Sequence, residues 1–113
     1  MTSPRREASG SAPGRYVPGA SPLLDIGGEV GALVVYLDRR PASGELEACP
    51  ADRPADRFHT GVHLRAVGPG EVPVAVFPEV AGGAYDLLDD GGTPVARVRV
   101  TGGQVREVDL RRR

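Results

Sequence analysis

The chain has no lysine, no asparagine and no tryptophan, and only one cysteine, Cys49. Each absence removes a chemistry. Without a lysine amine, neither Schiff-base catalysis nor a Walker-type phosphate loop can be built. One cysteine cannot close an intramolecular disulfide, and an unpaired thiol suits a reducing compartment, so a cytoplasmic protein is expected. The leader MTSPRREASGSAPGRYVPGASP lacks the apolar run of roughly 7 to 15 residues that a signal peptide needs. No stretch approaches the length of a membrane helix. The 14 arginines stand against 15 acidic residues for a net charge of −1. That balance leaves no overall electrostatic footprint for nucleic acid or an anionic membrane, so neither is expected as a partner. Of the serines only Ser43 lies beyond the leader, and none occupies a Gly-x-Ser-x-Gly elbow.

What is abundant is glycine, 16 residues, and proline, 11. The length allows one domain with a modest core. Residues 1–22, rich in Ser, Pro and Gly, read as a disordered tail, with Tyr16 and Val17 able to dock on a domain at 23–111. Short apolar runs follow at 30–37, 45–49, 59–67, 72–77, 84–88, 95–101 and 105–110, with a further short strand open at Leu23–Ile26. Glycine pairs and prolines break them at spacings typical of a β-sandwich or barrel, and no segment has helical periodicity. The expected fold is all-β, a seven- or eight-stranded antiparallel β-sandwich. Its expected core is Leu33, Val35, Val62, Leu64, Val74, Val76, Tyr85, Leu87, Val98, Val100, Val108 and Leu110. For the last two runs, a three-residue loop at Gly102-Gly103-Gln104 sets Arg99 opposite Glu107 and Arg97 opposite Asp109, with Val98 facing Val108. One face of that hairpin is then ionic and the other apolar.

Both histidines fall in FHTGVHLR, residues 58–65. Thr60, Val62 and Leu64 alternate with His59, Gly61, His63 and Arg65, the pattern of a half-buried strand. On a strand, positions four apart are separated by about 13 Å, too far for both imidazoles to ligate one metal ion. No metal site and no cofactor is expected. His59, His63 and Arg65 form the candidate ligand-binding face, suited to a carboxylate, phosphate or sugar acid, or alternatively a solvated sheet surface. Cys49 and His59 flank one loop and could form a thiol–imidazole pair, although nothing marks the thiol as activated and a small buried cysteine explains it. Asp89-Asp90-Gly91-Gly92 lacks the ligand spacing of an EF-hand and reads as a hairpin turn. No catalytic residue is assigned.

Residues 74–110 carry Phe77-x-x-Val80-x-x-Gly83-x-Tyr85 followed by a glycine turn. This resembles the C-terminal half of transthyretin-like and Cna-B/SpaA-type prealbumin-fold modules. The blocks LLDIGGEVGALVVYL, HT, AVFP and GAYDLL resemble small stand-alone actinobacterial proteins of unassigned role, some carrying a loose phospholipase label. The resemblance implies a prealbumin-like sandwich. It does not carry the chemistry of these relatives: the Lys–Asn isopeptide bond of pilin modules needs two residue types absent here. The chain also ends in Leu110-Arg111-Arg112-Arg113 rather than the motif of the ureide hydrolase, and no nucleophile or metal cluster supports the phospholipase label. The expected function is a non-enzymatic binding or protein-interaction module, whose partner is a protein or a small polar or anionic ligand, with a homodimer through an edge strand open to it. The alternative is a small hydrolase or anion-binding enzyme using the His59/His63/Arg65 face.

Overall fold

The computed structural model describes residues 27–111. The tail expected over 1–22, the docking of Tyr16 and Val17 and the strand at 23–26 lie outside the described residues. Within them the chain forms seven strands and no helix: β1 (Val30–Tyr36), β2 (Glu45–Pro50), β3 (Phe58–Val67), β4 (Gly70–Ala81), β5 (Gly83–Leu88), β6 (Pro94–Val100) and β7 (Val105–Asp109). They make one mixed, nearly closed sheet in the order β6-β5-β2-β3-β4-β1-β7.

The long strand β3 turns the sheet back on itself. Phe58 to Gly61 pair with β2, whereas Val62 to Val67 pair with β4. Where β3 leaves β4, the Thr60 hydroxyl donates to the Val76 carbonyl at 2.9 Å and occupies an acceptor that the ladder no longer reaches. The second change of direction is the β4–β5 corner. Phe77, Val80 and Tyr85 are all buried there, and the Tyr85 hydroxyl donates back to the Ala81 carbonyl, as in the tyrosine corner of β-sandwich domains. Phe58 meets Phe77 and Tyr85 edge-on, with ring centroids 5.4 and 5.7 Å apart. These rings join Leu33, Val35, Leu46, Ala48, Val62, Ala75, Leu87, Val98 and Val100 in one core.

Strand β4 runs through two prolines, beyond the expected end at Phe77. Pro78 is tolerated because it lies in a bulge, where the register with β1 shifts between Gly31↔Val80 and Leu33↔Phe77. Pro73 lies where the β1 ladder ends, and its carbonyl still accepts from Leu37 N–H at 2.9 Å.

Three expectations are corrected. The arrangement is not wholly antiparallel, because β7 does not form a hairpin with β6 and instead pairs parallel to β1, from Ala32↔Val105 to Tyr36↔Asp109. Strand β1, whose residues Gly31 to Val35 are buried on both faces, thereby has a neighbour on each side, β4 and β7. Arg97 accordingly meets Asp86 of β5, and Arg99 lies opposite Ala84. Leu64 is not in the core but 49% exposed. From His63 onward β3 is exposed on both faces, as are Gly70 and Glu71 opposite, so this hairpin end extends past the layer that would cover it. Val76 is only half-buried, on the face of β4 opposite Ala75 and Phe77. Val108 and Leu110 do pack against the core, though only in part.

Candidate functional site

The period-two reading of FHTGVHLR holds from Phe58 to Val62, with Phe58, Thr60 and Val62 turned inward, and fails at Leu64, which is exposed. His59, His63 and Arg65 share the outer face of β3 and are exposed. Glu45, on the neighbouring strand, takes His59 Nε2 at 3.5 Å. His63 folds back over Gly61, its Nε2 3.6 Å from where a Cβ would stand there. The three side chains are thus brought to one face, but they line neither of the two clefts described below. Cys49 is a free thiol and buried, with 2% exposure, while the imidazole of His59 is engaged with Glu45.

The larger of the two clefts lies beside this strand face and shares Glu45 with it. The loop after β1, the β5–β6 turn and the end of β7 enclose a cleft of about 620 Å3. This is within the range of small-molecule sites, roughly 300 to 1,000 Å3. Its apolar surface comes from Leu37, Leu46, Leu88, Val95 and Leu110. Leu46 and Leu88 are core-facing residues at strand ends, 4% and 3% exposed, whereas Val95 is 52% exposed. The cleft is built by a clasp: Asp90, in the turn, accepts from Ala42 N–H at 2.8 Å and from the Ser43 hydroxyl at 3.0 Å. Asp89 closes the turn itself, accepting from Gly91 N–H and Thr93 N–H, both at 2.9 Å. Asp89-Asp90-Gly91-Gly92 therefore serves as the hairpin turn read from the sequence.

Charges at the rim differ in how far they are already engaged. Asp89 and Asp90 are taken up by the turn and the clasp, Glu45 faces His59, and Asp38 is also engaged. Arg39 and Arg40 line the same cleft with no hydrogen bond or ion pair among the described residues. The lining thus carries four carboxylates, all of them hydrogen-bonded or otherwise engaged, and two guanidinium groups whose donors are free among the described residues. A smaller cleft of about 220 Å3, lined by Ser43, Glu45, Glu47, Asp89 and Asp90, adjoins it. Its carboxylates are likewise occupied, Glu47 by Arg57 at 3.4 Å. Among the described residues no group of three or more His, Cys, Asp or Glu side chains is arranged to hold a metal ion, and no helix is long and apolar enough to cross a membrane.

Arg39 and Arg40 do not figure among the candidates read from the sequence. The available signal is the pair itself, adjacent cations between an apolar strand and Pro41. Nothing local shows that Leu88, Val95 and Leu110 close on the same space. No protein-family model matches the chain, and neither the curated proteins nor the solved structures include a significant match. The site therefore stands on its own geometry, in a small all-β protein of one mixed sheet.

Proposed function

We propose that this protein is a non-enzymatic binding module and that its ligand site is the cleft between the β1–β2 loop, the β5–β6 turn and the end of β7. The observation that carries the reading is the pairing of an apolar lining with two arginines that have no partner among the described residues. An apolar body supplies most of the affinity in such a site, and a guanidinium fixes the orientation of a carboxylate or phosphate. The test is titration with decanoate and, separately, with decylamine, following the methyl resonances of Leu37, Leu88 and Leu110. Decanoate is expected to shift them saturably, and Arg39→Ala with Arg40→Ala is expected to weaken it about tenfold. Equal response to decylamine, or no response to either, would sink the proposal.

Kinship with small actinobacterial proteins rests on the sequence blocks alone, and we propose further that the sheet folds into a two-layered, prealbumin-like sandwich. It is supported by the ladder change in β3 and by the corner formed by Phe77, Val80, Gly83 and Tyr85. A cytoplasmic location is supported by the buried free thiol of Cys49. The second reading, an anion-binding or hydrolytic face at His59, His63 and Arg65, is favoured by their placement on one strand face. Inorganic phosphate separates the two readings, since saturable shifts of the two imidazoles would favour this face over the cleft.

A further inference from the structure

Beyond a small-molecule cleft, the open side of the sheet offers a strand-binding edge. Strands β6 and β7 are the two ends of the strand order and pair with β5 and β1 only. Both also border the cleft or lead into it: Val95 at the start of β6 and Leu110 just after β7 line it. Backbone polarity along these edges follows from the bonds that flank them. Ala51 N–H donates to Ala84 O at 2.9 Å, so Ala84 turns its backbone groups towards β2 and Tyr85 turns its own towards β6. Tyr85 pairs with Val98, which places the N–H and C=O of Arg97 and Arg99 on the free edge. On β7, Ala32 N–H donates to Gln104 O at 3.0 Å and Leu110 N–H to Tyr36 O at 2.8 Å. Alternation then leaves the backbone groups of Val105 and Glu107 directed away from β1.

Charge selects among the strands that could pair here. On β6 itself Arg99 is exposed and has no ion-pair partner among the described residues, while Arg97 is already held by Asp86 at 2.8 Å. A second copy docking β6 against β6 would set Arg97 and Arg99 beside their own counterparts, an arrangement that like-charge repulsion disfavours. An acidic strand meets the opposite situation. Alternation of side chains along a strand then divides its two faces: apolar residues extend the layer of Val98, Leu110 and the cleft lining, and acidic residues lie over the arginines.

We propose that the β6 edge binds an extended peptide of alternating apolar and acidic residues, which adds as a further strand and seats its apolar side chains towards the cleft. This rests on the cleft being the binding site and names its partner as a peptide. The probe is an acetylated, amidated hexapeptide of alternating valine and glutamate, measured by its affinity for the full chain and by amide hydrogen exchange. Binding is expected to slow exchange at Arg97 and Arg99. Arg99→Glu is expected to weaken it at least tenfold, and replacing each glutamate of the peptide by lysine is expected to abolish it.

Several results would overturn the proposal: absence of binding, equal affinity for the lysine peptide or for one of the same composition without alternation, or protection confined to other strands. Slowed exchange at Arg97 and Arg99 without peptide, accompanied by dimerisation, would overturn it in favour of a second copy. The decanoate titration distinguishes the two failures. A cleft that takes decanoate but no peptide refutes strand addition alone, and one that takes neither refutes the binding site as well.

Discussion

At the scale of single residues, exposure separates two leucines that share the apolar side of their strands. Leu33 is fully buried and Leu64 is 49% exposed. Leu33→Ala is expected to cost about 2–5 kcal/mol, because the removed methyl groups leave a cavity in a packed interior. Leu64→Ala is expected to cost less than about 1 kcal/mol, as surface truncations do. Urea unfolding of the two variants checks the contrast, and equal losses would show that the β3–β4 hairpin end is covered in solution.

Asp86 carries a pH-dependent contribution at the same scale. Its hydrogen bonds from Arg97, at 2.8 and 3.1 Å, hold the carboxyl below its ordinary range. A depressed folded-state value gives stability that is complete above the unfolded-state value, near pH 4, and is lost as pH falls through the folded one. The melting temperature of Asp86→Asn should therefore fall short of wild type at pH 7 and approach it as acid protonates the carboxyl in both states. A gap that persists in acid would mean that the pair acts through packing rather than charge.

Among the elements, close approach at two glycines fixes how β1 meets the β6–β7 connection. A Cβ at Gly31 would lie 2.6 Å from Thr101 O and 2.8 Å from Gln104 O, and one at Gly102 would lie 2.7 Å from Glu29 Cα. The obstacles include backbone, which cannot step aside as a flexible side chain would. Gly31→Ala and Gly102→Ala are each expected to lose about 1–3 kcal/mol through overpacking. Gly70→Ala, whose new methyl would meet nothing within 4 Å and whose φ is not positive, is expected to be neutral or slightly stabilising, read from thermal melts. This contact also marks the limit of what the sequence discloses. Strand positions and their inward faces are legible from period-two alternation, and the hairpin turn at Asp89 to Gly92 from its residues. Alternation assigns a face but no neighbour, so Val108 and Leu110 face the core as expected while β7 lies beside β1 and not β6. The cleft escaped for the same reason: its leucines come from strand ends that only the tertiary pairing brings together.

For the whole molecule, the last strand in sequence completes the first. Strand β1 is buried along Gly31 to Val35 and has β4 on one side and β7 on the other, and β7 adds Val108 and Leu110 to the margin of the core. Were β7 the outer arm of a hairpin with β6, its removal would expose one edge of a peripheral strand. Here it would strip a strand buried on both faces of half its backbone partners and present that edge to other chains. A chain ending at Gly103 is therefore expected to lose cooperative unfolding and to aggregate at neutral pH. Because β7 pairs with no sequence neighbour, a synthetic peptide spanning residues 104–111 should restore the native amide spectrum when added in trans. A truncated chain that melts within a few degrees of the full one would show that β1 is stable with a single neighbour, and the parallel pairing would lose its structural role.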